Sequence, residues 1–118
     1  MPVTAEDIRS VAAPLPRTEV AFVRDAMKFR VRGIVYAAVA PDELTMGFAF
    51  PKDERAALVA AQPAKFHLPI ESDMRFNWVR AWLAPLGFDE MRELVLDAWQ
   101  LVVPKKVVRE YYGLRGRS

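Results

Sequence analysis

Two short stretches of the sequence carry side chains that could bind a polyanion. Three cations alternate with apolar residues in the segment MKFRVR, and they are Lys28, Arg30 and Arg32. In the segment NWVRAW, Arg80 lies midway between Trp78 and Trp82. Ammonium and guanidinium groups neutralise phosphates, and indole rings stack on nucleobases. These residue types therefore indicate nucleic-acid binding, provided that the chain projects them from one surface.

A third group of cations lies near the C-terminus. Residues 104–118 hold five of the 17 Lys and Arg side chains and only one of the 15 acids. Lys105, Lys106 and Arg109 fall within about one helical turn, where they could contact a phosphate backbone. Cations also favour a helix C-terminus because of the helix dipole, and Tyr111 would then pack on the protein body. Both interpretations stay open on the sequence alone.

Candidate catalytic residues are few. His67 is the single histidine, and cysteine is absent. A nucleophile built from Ser72 and His67, with Glu71 or Asp73 as the acid, has no support in the spacing. The other acids form separated pairs at expected helix starts and turns, and the five glycines are scattered, so neither a metal site nor a phosphate loop is indicated. We predict no enzyme, no metal and no cofactor.

Strand periodicity decides which way the cations project. The apolar residues of the basic segment must face the core, because burying one phenylalanine stabilises a fold by about 1.5–3 kcal/mol, whereas burying unpaired cations is costly. These apolar residues are Met27, Phe29 and Val31. Alternation then puts the three cations on the opposite face. In the strand predicted over residues 76–83, the same argument turns Arg80 outward together with Trp78 and Trp82. Four cations and two indoles are thus predicted on one sheet face.

The other periodicities predict an α+β fold. Thr4 and Asp7 suit the start of a helix over residues 5–13. Strands predicted near residues 15–25, 25–33, 33–40 and 43–51 have no helix between them, which favours an antiparallel meander with Gly33 in a turn. Helices over residues 53–61, from residue 89 and from 105 to 113 complete the pattern. The core-facing stripe of the helix from residue 89 consists of Met91, Leu94, Val95, Ala98, Leu101 and Val102. We expect a two-layer sandwich, with helices packed on one face of an antiparallel sheet.

The uncovered face permits three interpretations. Cations on edge strands often prevent sheet-to-sheet pairing, so the face could be a solvated or structural surface. Tryptophan and arginine are also common anchors of protein interfaces, which favours a homodimer through the tryptophan-bearing strand. The third interpretation is nucleic-acid binding.

Length and hydropathy bound the class of protein. A chain of 118 residues has the size of one domain, so we expect a single domain over residues 1–118, with residues 114–118 as a flexible tail. The N-terminal sequence lacks a basic segment leading into an apolar run, and no window approaches eighteen apolar residues. We therefore predict a cytoplasmic protein with no membrane partner.

Four segments together resemble the YjbR/MmcQ-like family. They are MKFRVRGIVYAAV, LTMGFAFPKDERAALVA, NWVRAWL and ELVLDAWQLVVPKKV. The most specific match is to the "AW…V.PK" ending of the family, at Ala98, Trp99, Val103, Pro104, Lys105 and Lys106. The resemblance runs from Ile8 to Val108. It implies a frataxin-like or secretion-chaperone-like two-layer fold and a DNA-binding role.

These observations combine into one expectation and one alternative. The expectation is a non-enzymatic binding module that contacts DNA weakly and largely without sequence specificity, through the basic and aromatic sheet face and the C-terminal basic segment. The alternative is a protein-interaction or homodimerisation domain that uses the tryptophan-bearing strand.

Overall fold

A computed structural model describes residues 2–116, and the side-chain surroundings of residues 2–113. Six strands form one antiparallel sheet in the order β1-β2-β3-β4-β6-β5. The strands are β1 (Glu19–Val23), β2 (Ala26–Val31), β3 (Ile34–Val39), β4 (Thr45–Ala49), β5 (Phe66–His67) and β6 (Trp78–Trp82). The helices are α1 (Ala5–Ala12), α2 (Arg55–Ala61), α3 (Phe88–Gln100) and α4 (Lys105–Gly116), with a short 3-10 helix at Glu71–Asp73. This is the predicted α+β fold.

The first three strands are joined by two-residue turns. Both residues of each turn have positive φ, at 52° and 69° for Arg24 and Asp25, and at 52° and 80° for Arg32 and Gly33. Such turns match the right-handed twist of the flanking strands. Arg32 therefore lies in a turn at the end of the sheet, and its prediction as the third outward cation of a strand is wrong. A residue with positive φ cannot continue the pleat of β2.

The hydrophobic core lies between the helices and one face of the sheet. Its largest fully buried side chains include Trp99 of α3, Tyr36 of β3 and Phe29 of β2. The indole Nε1 of Trp99 donates a hydrogen bond to the carbonyl of Pro16 at 2.9 Å, and its ring lies 5.2 Å from that of Tyr111. Trp99, the centre of the family-like "AW" motif, is therefore a core residue that joins α3 to α4.

A register shift in β3 turns two consecutive residues toward the helices. The pairing with β2 shifts between Phe29 and Arg30, so that Tyr36 and Ala37 are both buried. The Tyr36 hydroxyl lies 2.8 Å from that of Thr18 and donates to the carbonyl of Ala12 at 3.3 Å. Burial raises the pKa of Tyr36 to about 12. The bulge thus places Tyr36 where its hydroxyl hydrogen-bonds to α1.

Most element predictions agree with the structure, and the differences lie at element ends. Thr4 and Asp7 form the expected capping box at the start of α1. Leu101, predicted in the core stripe, is 53% exposed because α3 ends at Gln100 and the helical spacing ends with it. Helix α4 continues to Gly116 instead of ending at Gly113, and residues 117 and 118 of the predicted tail lie outside the described part of the chain. The two-residue β5 was not predicted.

Candidate nucleic-acid interface

Strands β2 and β6 present their polar and aromatic residues on the side away from the helices. In β2 the apolar residues are buried, while Lys28 and Arg30 are half-buried on the opposite side. In β6, Val79 and Ala81 are fully buried. The alternate residues of β6 project to the other side, and they are Trp78, Arg80 and Trp82. The predicted orientation of both strands is therefore confirmed.

The pairing register shows that these residues share one face. Residues paired directly across antiparallel strands project to the same side. One such row runs from Lys28 through Ala38 and Gly47 to Arg80, crossing from β2 to β6. We call this side of the sheet the open face, and its members are Glu19, Ala21, Val23, Ala26, Lys28, Arg30, Val35, Ala38, Thr45, Gly47, Ala49, His67, Trp78, Arg80 and Trp82.

Small side chains form the middle of the open face. Strands β3 and β4 contribute Ala38, Gly47 and Ala49 between the cations of β2 and the indoles of β6. Strands β2 and β6 lie three strand spacings apart, or about 14 Å. The result is a shallow trough with Lys28 and Arg30 on one side and Arg80 with two indoles on the other.

At one end the trough widens into a groove. Its volume is about 890 Å³, and its wall includes Lys28 on one side and Trp78 on the other. Three exposed apolar residues complete the rim, and they are Ile34, Phe76 and Leu101. A volume of this size is in the range of small-molecule sites.

The indole of Trp78 lies directly over Gly47. A Cβ atom added to Gly47 would be 2.5 Å from Cζ2 of Trp78, which is closer than real side chains approach. The glycine therefore makes room for the indole, which covers the floor of the trough. Trp78 is half-buried in this position.

A buried arginine holds the segment that precedes β6. Arg55 of α2 is only 6% exposed. Its guanidinium donates to the carbonyls of Phe76 at 2.8 Å and Trp78 at 3.3 Å, and to that of Met74. Because β5 pairs only with Ala81 and Arg80, the first residues of β6 would otherwise form an open sheet edge. Arg55 thus satisfies the backbone that positions Trp78.

Trp82 stacks against the only histidine. Its ring centroid lies 4.8 Å from that of His67, with 32° between the planes. Trp82 is still 44% exposed. Neither His67 nitrogen has a hydrogen-bond partner within the described residues. Burial, followed by the charge of Arg80, lowers the pKa of His67 below its ordinary value of 6.5. The imidazole is therefore neutral at pH 7.

This environment makes a prediction about pH. Because the pKa is lower in the folded state, the contribution of His67 to stability is complete above about pH 6.5 and declines as the pH falls toward the folded pKa. Histidine occurs once in the chain, so its ring-proton NMR signal can be titrated without overlap. We expect a pKa below 6.5 that rises in Arg80→Ala. A pKa at or above 6.5 would contradict this environment.

None of the open-face cations forms an ion pair with a described residue, although Glu19 lies directly opposite Arg30 across the β1–β2 ladder. The ion pairs found among the described residues are Arg9 with Glu6 and Lys65 with Glu90, so none involves Lys28, Arg30 or Arg80. The Nε–H of Arg30 is shielded from water and donates to no partner within the described residues. An external anion that binds these three cations would therefore not have to displace an ion pair of the described residues.

The C-terminal cations lie on helix α4. Lys105, Lys106 and Arg109 are exposed there, whereas Val107 of the same helix is buried in the core. Tyr111 of α4 lines a small cavity with residues of α1 and α3, so that α4 packs in the helical layer. Leu101 and Val102, which precede α4, line the groove together with Lys28 and Trp78. The prediction that the C-terminal cations supplement the sheet face stays a prediction.

Comparison with known proteins decides the family. A family model described as YjbR matches residues 13–101. The chain belongs to the YjbR family. The chain is similar to Deinococcus radiodurans protein DR2400, whose crystal structure is described with a DUF419 domain. The two share 22% identity with a TM-score of 0.74, and the match covers 93% of this chain and 88% of the other. It is also similar to a Pseudomonas syringae protein at 17% identity and a TM-score of 0.68, over 86% and 100% respectively. These likenesses show the fold. No curated protein matches the sequence significantly.

Neither a metal cluster nor a hydrogen bond between serine and histidine is found among the described residues. Within residues 2–116, no three His, Asp or Glu side chains gather closely enough to hold a metal ion. His67 has an indole and a guanidinium as neighbours, and no described hydrogen bond joins it to Ser72. In the same part of the chain, no helix is both long enough and apolar enough to cross a bilayer.

Sequence reasoning missed the part that three residues play in shaping the open face. Arg55 stands in the charged run KDER, where it has the pattern of a solvated helix start. Gly47 stands in an alternating strand segment, and the approach of Trp78 has no sequence signal. His67 belongs to a strand too short to show alternation.

Proposed function

We propose that the open face of this YjbR protein binds single-stranded nucleic acid weakly and without sequence specificity. One observation carries the proposal: three cations that form no ion pair with a described residue lie around one trough together with two indoles. Proteins that bind single strands use such a combination, since cations track the backbone and aromatic rings stack on successive bases.

The shape of the site favours a single strand over a duplex. In a duplex the faces of the bases are already stacked on one another, so an exposed ring cannot stack on them. An unpaired base can instead be laid on an exposed ring. Trp82 offers such a ring, and the half-buried indole of Trp78 lines the groove nearby. Stacking is tolerant of base identity, which is why we propose no sequence specificity.

The first test compares two triple variants with the same change in charge. Lys28→Ala/Arg30→Ala/Arg80→Ala removes the open-face cations, and Lys105→Ala/Lys106→Ala/Arg109→Ala removes three cations from α4. For the wild type, the slope of log K against log salt on an oligothymidylate should be about −2, since three contacts each contribute about −0.7. We expect the sheet variant to lose most of its affinity and its salt dependence, and the helix variant to retain both.

The comparison separates local contact from the general field of the protein. Both variants lower the net charge equally, so equal losses would mean that only total charge matters. A larger loss in the helix variant, or no binding of the wild type at about 50 mM salt, would contradict the proposal. Circular dichroism of both variants verifies that the fold is retained.

A second candidate function is protein binding at the same face. It is favoured by the exposed apolar rim of the groove, where Ile34, Phe76 and Leu101 are each at least 50% exposed. A homodimer through β6 would have to stack face to face, because β6 lies between β4 and β5. Light scattering on the wild type and on Trp82→Ala distinguishes this candidate, which requires a larger particle that the substitution dissociates.

A further inference from the structure

Strand β1 forms an unprotected edge of the sheet. It pairs with β2 on one side only, and no described strand lies on its other side. Its sequence EVAFV lacks the lysine or proline that usually blocks an edge. Phe22 is 69% exposed and Val23 is 42% exposed, which is unusual for an aromatic residue and a β-branched residue next to each other. Such an edge is a template for another strand.

The turn after β1 fixes which backbone groups face outward. The two-residue turn at Arg24 and Asp25 is closed by the pair Val23 and Ala26, which exchange hydrogen bonds across the hairpin. Hydrogen-bonded positions alternate along the ladder, so Ala21 and Glu19 also bond to β2. The N–H and C=O groups of Val20 and Phe22 therefore point away from the sheet, with no partner in the described chain.

We propose that two copies of this protein pair antiparallel through β1, with the two-fold axis at Ala21. In this register Val20 of each copy lies opposite Phe22 of the other and exchanges hydrogen bonds with it, which satisfies all four outward groups of each strand. The side chains of these two residues project to the helix side, where Val20 already packs on the core. Two new apolar pairs are formed.

The length of β1 selects this register over its neighbours. Ala21 is the middle residue of the five-residue strand, so an axis at Ala21 pairs every residue of β1 with a residue of the other β1. With the axis one residue later, at Phe22, Val20 would lie opposite Arg24, which belongs to the turn. With the axis at Val20, both pairs of Val20 with Phe22 are lost. A second copy is therefore the occupant whose length and apolar pattern match the edge.

The dimer would join the two open faces into one continuous surface. Ala21 pairs with Lys28 and lies on the open face, so the axis passes through that face. Each copy would then place its β2 cations next to those of the other copy, across two β1 strands. The pairing itself rests on β1 alone and does not require nucleic acid.

Single-cysteine variants test the axis directly. The natural sequence contains no cysteine. At the axis, the two Ala21 residues would form a non-hydrogen-bonded pair with Cα atoms about 4.5 Å apart, which is within the range of a disulfide. The matched control is Val23→Cys, on the same strand and face, because two Val23 residues would be about 13 Å apart along the paired strands. Both variants are mildly oxidised and run on a non-reducing gel. We expect Ala21→Cys to form a disulfide-linked dimer and Val23→Cys to stay monomeric.

Phe22→Pro supplies an independent readout. It removes an outward N–H while leaving the bonds to β2 intact, a position where edge strands tolerate proline. Two intermolecular hydrogen bonds are lost per dimer, so the dimer Kd in sedimentation equilibrium should rise about tenfold or more. Phe22→Thr keeps the N–H, so its dimer Kd should rise less than that of Phe22→Pro. A monomeric wild type, or equal cross-linking of Ala21→Cys and Val23→Cys, would overturn the proposal.

Discussion

Replacing Arg55 with methionine is expected to lower the free energy of unfolding by about 3 kcal/mol. The guanidinium donates to the carbonyls of Met74, Phe76 and Trp78, and it has no carboxylate partner among the described residues. Hydrogen bonds from a charged donor contribute about 1.5–3 kcal/mol, and each buried carbonyl left without a donor costs about 1–3 kcal/mol. Methionine fills a similar volume but donates nothing. Urea denaturation measures the difference.

The matched control for this substitution is Arg92→Met. Arg92 is an exposed arginine on α3, so the same change of side chain there should alter the free energy of unfolding by less than about 0.5 kcal/mol. Arg55→Lys should lie between the two, because an ammonium group cannot reach several carbonyls in the planar arrangement of a guanidinium. A loss below about 1 kcal/mol in Arg55→Met would show that β6 does not depend on this residue.

Replacing Trp82 with alanine is expected to reduce the affinity for single-stranded DNA by about 5- to 150-fold. One stacked base contributes about 1–3 kcal/mol, and Trp82 has the most exposed indole on the open face. Fluorescence anisotropy of a labelled oligothymidylate measures the affinity. Trp82→Phe keeps an aromatic face and should lose less.

The same substitution has a second expected effect, on His67. Removing the indole that stacks at 4.8 Å exposes the imidazole to water, and the pKa of His67 should rise toward 6.5. This signal reports that the local structure responded as described, whether or not DNA is bound. An affinity unchanged within about twofold, together with the shifted pKa, would remove Trp82 from the binding site.

Two-residue alternation was sufficient to orient the strands that carry the candidate site. In β2 the contrast between Phe29 and its cationic neighbours is large. Burying the phenylalanine stabilises the fold, whereas burying the unpaired cations would destabilise it. In β6 the single charge of Arg80 decided the side on which Trp78 and Trp82 lie. These assignments needed only local sequence, because a pleat fixes the relation between neighbours.

Features that depend on contacts distant in sequence were not predictable. Arg55 lies about 20 residues from the carbonyls it binds, and Gly47 lies 31 positions before Trp78, so neither contact leaves a periodic signal. Arg32 was misplaced because two-residue turn chemistry overrides alternation at the end of β2. The cations of α4 were grouped with those of the sheet by charge alone, although a sequence does not say which layer a helix joins.

The most direct test of nucleic-acid binding is a two-dimensional NMR titration of the indole N–H signals with an oligothymidylate at low salt. The chain has three tryptophans, and Trp99 is fully buried in the core with its N–H bonded to Pro16, which makes it an internal control. We predict that the signals of Trp78 and Trp82 shift, that those of Lys28, Arg30 and Arg80 shift with them, and that Trp99 and α4 do not. Shifts confined to α4, or indole signals that stay in place at saturating oligonucleotide, would contradict the account.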